Sequence, residues 1–337
     1  MKYSKFDVVI FFIKYSICLF IFLFSFSSSL LTQEFKNTNG KEINKSSKEL
    51  FKWRSSRKSP ETTQIEMSNE WQLFNFENND NYSFWVGHST YLIKINGIVI
   101  LTDPIFSDRA SPFDFIGPKR LIPPAIPLNK LPDIDVITIS HNHYDHLDIK
   151  SLKKIYKKNP DVKILVPMGD KKLLKRHNVN NVFEFNWWDN INIENFTFTF
   201  TPVQHWSARG LFDRNESLWG GWYFTNNETS LFHAGDTGYS SDFKDINMIL
   251  GSPDYAFIPI GAYDPEWFMS ESHVNPEEAI QIMKDLEFPV TYAMHWGTFT
   301  LTSEDTVEPP IRLNKELENM NLNQFNVVKP GEIINLK

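Results

Sequence analysis

The stretch Ser140-His141-Asn142-His143-Tyr144-Asp145-His146-Leu147-Asp148 places three imidazoles and one carboxylate within six positions, directly after the mostly apolar run 134–139. Such a run reads as a buried strand. A fold that accepts it must deliver the polar groups to an edge where strand ends meet loops, the place where α/β folds collect ligands and catalytic side chains. Residues i and i+2 of an extended segment face the same side, so His141 and His143 can address one point. Asp145 and His146, turned by the following loop, can address a second. Imidazole nitrogen and carboxylate oxygen together suit zinc and related divalent cations. The chain has only nine histidines in 337 residues, and this density argues against a merely solvated turn.

Two cations need more ligands than one loop provides, and other strand ends supply candidates. His205 follows the alternating run 196–204, Asp236 lies in His233-Ala234-Gly235-Asp236-Thr237-Gly238 after 230–232, and His295 ends 290–294 just before Trp296-Gly297. Each would be weak alone; as a set they point to a metal centre.

With these residues in view, the chain resembles the metallo-β-lactamase superfamily. Longer stretches resemble its N-acylphosphatidylethanolamine-hydrolysing phospholipase D (NAPE-PLD) family: Thr102-Asp103-Pro104-Ile105-Phe106, Gly117-Pro118-Lys119-Arg120, 139–148, Gln204-His205-Trp206, Leu218-Trp219-Gly220-Gly221-Trp222, 234–239, 258–263, Trp267-Phe268-Met269, His273-Val274 and 295–299. The resemblance covers roughly residues 70–335 and implies an α/β fold, the αβ/βα four-layer sandwich of that superfamily. It also implies two zinc ions per chain, with His141, His143 and His205 on one, Asp145, His146 and His295 on the other, and Asp236 bridging both. No ligand position departs from the family pattern.

The implied chemistry is phosphodiester hydrolysis, in which paired divalent cations make a water more acidic and neutralise charge at the phosphoryl group. For an N-acyl phosphatidylethanolamine the products would be N-acylethanolamine and phosphatidic acid. Asp145 and Asp236 are the expected catalytic carboxylates. His273 either touches the substrate phosphate and passes a proton to the leaving alkoxide, or braces the loop before a helix. His88, in a first hairpin, is expected to orient a ligand or to fill the core rather than to bind metal. A lactone, a cyclic phosphate or a sugar phosphate remains an alternative substrate, because one fold and one metal centre host many reactions. A non-hydrolytic lipid- or metal-binding protein is the reading from another class.

Trp206, Trp219, Tyr263, Trp267 and Phe268 fall in segments that adjoin the expected centre. Their alternative is core packing. Beside a metal site they would give an acyl chain an apolar wall with polar handles, so they are taken as substrate-binding candidates. A net charge of −7 argues against a nucleic-acid groove. The partner expected instead is phospholipid at a membrane surface, and the resemblance suggests a homodimer.

The first residues form a separate unit. A short basic start precedes an apolar segment, and Ser27-Ser28-Ser29 offers a cleavage region, so residues 1–31 read as a signal peptide or as an uncleaved membrane anchor. Either would export the chain or attach it to a membrane, in the periplasm or cell envelope if the source is bacterial. The single cysteine, Cys18, lies inside this segment and is neither nucleophile nor half of an internal disulfide. Residues 32–69, rich in Asn, Lys, Ser and Glu, read as a flexible tether, and 70–337 as the hydrolase domain. Within it, 84–95 and 98–102 flank the turn signal Asn96-Gly97. Helices are expected at 149–158, 171–177 and 242–250 and after Asn275-Pro276, alternating with strands at 162–166, 255–259 and 290–294.

Overall fold

The computed structural model describes residues 34–79 and 81–337; the segment expected as signal peptide or anchor, with Cys18, lies outside them. The strands are β1 (Tyr82–Gly87), β2 (Thr90–Ile95), β3 (Ile98–Thr102), β4 (Val136–Thr138), β5 (Lys163–Pro167), β6 (Val182–Phe185) and β7 (Asn190–Ile193). They continue as β8 (Phe196–Thr201), β9 (Gly221–Thr225), β10 (Ser230–His233), β11 (Tyr255–Pro259), β12 (Val290–Met294), β13 (Phe325–Asn326) and β14 (Ile333–Asn335). The helices are α1 (Ser47–Ser56), α2 (Ile149–Lys158), α3 (Lys171–Arg176), α4 (Asp242–Leu250), α5 (Glu266–Met269), α6 (Pro276–Asp285) and α7 (Glu308–Met320).

The strands form two seven-stranded sheets, ordered β14-β1-β2-β3-β4-β5-β6 and β13-β12-β11-β10-β9-β8-β7. In each sheet a parallel half that includes β4 or β12 joins an antiparallel half of hairpins. Side chains alternate strictly between the two faces, as the pleat requires. Tyr91, Ile93, Ile98 and Ile100 point to the core that also holds Phe196, Phe198 and Phe200 of β8. Their neighbours Leu92, Val99 and Leu101 point the other way, against Leu152 and Ile155 of α2 and Leu174 of α3. On the second sheet the helical layer contributes Phe243 and Ile246 of α4 and Ile280 and Met283 of α6. Each such aromatic or aliphatic side chain contributes about 1.5–3 kcal/mol on burial, and the four layers are the expected αβ/βα sandwich.

The helix starts follow their local chemistry. At α6, Asn275 accepts from the Glu278 N–H while the Glu278 carboxylate accepts from the Asn275 N–H, a reciprocal cap that satisfies two otherwise unpaired donors. One expectation is refined: the run 84–95 is not a single strand but a hairpin, because the chain turns at His88-Ser89, with His88 at φ 55°.

The expected flexible tether is corrected. The compact unit begins at Phe35, and residues 35–66 pack along it. Asn37 and Ile65 are buried, α1 is closed by a Ser46–Glu49 capping box, and Trp53 stacks on Phe268 at 5.1 Å. Polar composition is a poor guide here because the arm needs only a few anchors to settle on a preformed surface. No helix among the described residues is long and apolar enough to cross a membrane.

Candidate metal centre

The centre lies where strand ends of both sheets meet. The loop after β4 carries 141–148, the segment after β8 carries His205, the turn after β10 carries Asp236, and β12 runs directly into His295 at φ 60°. His141, His146, His205, Asp236 and His295 are buried. Their ligand atoms converge on two neighbouring points. His143 Nδ1 lies 2.8 Å from His141 Nε2 and 3.3 Å from His205 Nε2. Asp145 Oδ2 lies 3.6 Å from His146 Nε2 and 3.5 Å from His295 Nε2. Asp236 Oδ2 stands between the two sets, 3.1 Å from His146 Nε2, 3.0 Å from His295 Nε2 and 3.9 Å from His141 Nε2.

Outer partners set which ring nitrogens face the centre. The Ser272 carbonyl can only accept, so His205 Nδ1 donates to it at 2.9 Å and Nε2 is left with its lone pair. His146 Nδ1 donates to Asp103 Oδ2 at 2.8 Å. The Ser140 hydroxyl donates to the same carboxylate at 2.6 Å and lies 2.9 Å from His141 Nδ1, which turns His141 Nε2 inward. His88 Nε2 bonds Asp145 Oδ2 at 2.9 Å, and its ring lies 4.1 Å from that of His295. These contacts orient the inner groups as such outer partners do in metal sites.

The electrostatics match a cation site. Burial keeps His141 and His205 well below the usual imidazole range and pulls His143 and His273 down to about 4 and His88 to about 3. These rings are therefore neutral, the state in which imidazole ligates. Burial also opposes ionisation of Asp145 and Asp236, but the facing imidazoles, His146 first, outweigh it and hold both carboxyls well below their ordinary range. His295 is pushed up to about 9 against its own burial, chiefly by the Asp236 carboxylate. In effect the carboxylates call for positive charge at this point. The side chains fit a cation: His146 Nε2, His295 Nε2, Asp236 Oδ1 and His273 Nδ1 are buried with no hydrogen-bond partner, and buried polar atoms without partners are costly. Among the described residues, groups able to hold a metal comprise His141, His143 and His205; His141, His146 and Asp236; His205, Asp236 and His273; and His88, Asp145, His146 and His295.

His273 joins the cluster, with Nδ1 3.8 Å from Asp236 Oδ2. Trp206 packs its edge on His143, 4.4 Å between ring centres, under the Arg214 guanidinium. The other aromatic candidates have partners of their own. Trp219 and Tyr263 are fully buried, and the Trp219 indole N–H is engaged by Asn37 and by the Val203 carbonyl. Phe268 is covered by Trp53, and Trp267, half-exposed, lies under the Lys52 ammonium.

Sequence reasoning missed three residues. Asp103 appeared only as part of a resemblance, yet it holds Ser140 and His146. Arg209 clamps the metal loop from outside, donating to the Asn142 and Leu147 carbonyls at 2.7 and 2.8 Å and stacking on Tyr144 at 4.0 Å. Asn37 holds the backbone of His205. None carries a local signal, because each acts across a long sequence separation.

Two mixed sheets with helices outside and a histidine and aspartate cluster at the strand ends define a metal-dependent hydrolase of the lactamase-fold class. The beta-lactamase superfamily domain matches residues 99–296, more than half of the chain. An N-acyl-phosphatidylethanolamine-hydrolyzing phospholipase D 1 of Caenorhabditis elegans is 40% identical over 267 residues, 75% of each chain. The mitochondrial enzyme of the same name from Saccharomyces cerevisiae is 40% identical over 239 residues, 69% of this chain and 51% of its own. A possible metal-dependent hydrolase from Veillonella parvula shares the fold with a TM-score of 0.61 at 17% identity, over 76% of this chain and 99% of its own. The chain belongs to the beta-lactamase superfamily and, within it, to the family of N-acyl-phosphatidylethanolamine-hydrolysing phospholipases D.

Proposed function

We propose that the cluster holds two zinc ions, one on His141, His143 and His205 and one on Asp145, His146 and His295, with Asp236 shared, and that the chain hydrolyses N-acyl phosphatidylethanolamine as a phospholipase D. The observation that carries the two-cation reading is the single Asp236 oxygen facing both sets of imidazoles. The substrate reading is supported by the 40% identity to the nematode and yeast relatives whose names state that activity. When bound, the cations supply an acidified water and neutralise the phosphoryl oxygens. Asp145, held by His88, and Asp236 keep the attacking face fixed. In the overall reaction a P–O bond forms from water, the P–O bond to the ethanolamine breaks, and the displaced alkoxide takes a proton. His273, neutral at the rim with a partnerless Nδ1, is assigned to relay that proton from solvent water to the alkoxide.

A membrane surface as partner is supported by exposed apolar side chains on two loops, Phe113, Phe115 and Ile116 on one and Leu211 and Phe212 on the other. Both loops border a cavity of about 740 Å³ that reaches the outer side of the metal loop. The yeast relative is named mitochondrial, and an apolar N-terminal segment in this chain agrees with membrane attachment.

Purified protein is expected to contain about two zinc ions per chain, and a content below one would count heavily against the metal reading. Incubation with an N-acyl phospholipid, a bis-aryl phosphodiester and a lactone sorts the substrates. Turnover of the small diester without the lipid would reject the phospholipase assignment. Replacing Leu211 and Phe212 together by Asp is expected to slow turnover of lipid in vesicles while leaving the soluble diester unaffected; equal loss on both would remove the membrane role of that loop.

A further inference from the structure

Strand β8 ends at Thr201, so the buried backbone N–H of His205 has no strand neighbour to bond. It donates instead to Asn37 Oδ1 at 3.0 Å, across 168 positions. The same oxygen accepts the Trp219 indole N–H at 3.0 Å. Asn37 is only 4% exposed and sits in a self-braced loop: its side-chain amide donates to the Lys41 carbonyl at 3.2 Å, and the Gly40 N–H donates to the Asn37 carbonyl at 2.8 Å. The flanking residues tie that loop to the body of the fold. Phe35 N–H donates to the Asn215 carbonyl at 2.8 Å, Thr38 to Asp242 at 2.6 Å, and Asn39 to Gln204 at 3.1 Å. His205 is thus held at two points, its backbone by Asn37 and its ring by the Ser272 carbonyl, and its Nε2 lies 3.3 Å from His143 Nδ1. Asn37 lies outside residues 99–296, which the superfamily domain matches.

We infer that Asn37 is a positioning residue for the catalytic centre: through the backbone of His205 it sets the affinity of the His141/His143/His205 subsite and leaves the Asp145/His146/His295 subsite unaffected. This rests on the two-cation reading above. A buried N–H stripped of its acceptor is costly, and the chain escapes that cost by shifting the segment that carries His205. Loss of an outer partner of this kind lowers metal affinity about 10- to 100-fold.

The test is a competitive chelator titration of zinc on the full chain, run beside thermal unfolding, for wild type, Asn37→Ala, Asn37→Ser and Asn39→Ala. Asn37→Ala is expected to weaken one of two binding steps by about 10- to 100-fold with the other unchanged. Asn39→Ala, which loosens the same loop without touching His205, should keep both steps at wild-type strength. A folded Asn37→Ala with both steps unchanged, or with both weakened alike, overturns the inference. If Asn37→Ala does not fold, Asn37→Ser, too short to reach the His205 N–H, decides: one weakened step in a folded protein supports the inference, and two unchanged steps overturn it. A wild type that binds fewer than two ions counts against the two-cation reading instead.

Discussion

The Asp103 carboxylate receives the Ser140 backbone N–H at 2.7 Å, the Ser140 hydroxyl at 2.6 Å and the His146 imidazole at 2.8 Å, so one side chain orients His146 directly and His141 through Ser140. Asp103→Ala is expected to fold and to lose about 10- to 100-fold in metal affinity; metal retained at wild-type level after dialysis against a chelator would contradict this. A neighbouring acid behaves differently. Burial pushes the Asp170 carboxyl up to about 7, although Ser217, Asn142 and Arg209 pull the other way. An ordinary unfolded carboxyl titrates near pH 4, so between these values the folded state binds a proton that the unfolded state does not. The corresponding stability is complete below about pH 4 and is lost as pH rises through about 7. Urea unfolding of wild type and Asp170→Asn from pH 5 to 8 should show a falling trend that the variant lacks, and parallel curves would refute it. At this scale the clustering side chains were legible because seven scarce chemical groups stood at strand ends. Asp103, Arg209 and Asn37 were not, since a single Asp, Arg or Asn has many ordinary uses.

Strand ends aim the ligands, and close backbone approach keeps them there. A Cβ on Gly261, just beyond β11, would lie 2.4 Å from the His295 carbonyl oxygen after β12. Gly261→Ala therefore has to push the two segments apart. The expected result is a loss of about 1–3 kcal/mol in stability together with reduced metal content, read by urea unfolding and metal analysis; a variant as stable and as metal-loaded as wild type would show that the two segments separate freely. Among the elements, the Asn275-Pro276 cap gave the start of α6, and the sequence pattern placed α2, α3 and α4 and the strands β5, β11 and β12 close to their observed bounds. It merged β1 and β2, because a turn at His88-Ser89 interrupts an otherwise continuous apolar run. It also passed over α1, whose exposed and charged residues resemble those of an unfolded linker.

Across the whole molecule the centre is built from both sheets, which makes a bound metal a cross-link between them. Stripping it with a chelator is expected to abolish turnover and to lower the unfolding temperature, both restored by zinc, since a ligand that binds only the folded state stabilises it. Turnover at the wild-type rate with less than about a tenth of an ion per chain would end the metal mechanism. The residues by themselves determined the class of fold and the ligand chemistry, because strand periodicity and a dense cluster of histidines are local patterns. Only the tertiary structure decided which carboxylate stands between both sets of imidazoles, which aromatic side chains are buried, and that an arm of tether-like composition holds the backbone of His205. Those outcomes depend on contacts between segments up to some two hundred positions apart, such as Asn37 with Trp219, and no local pattern encodes a partner at that distance.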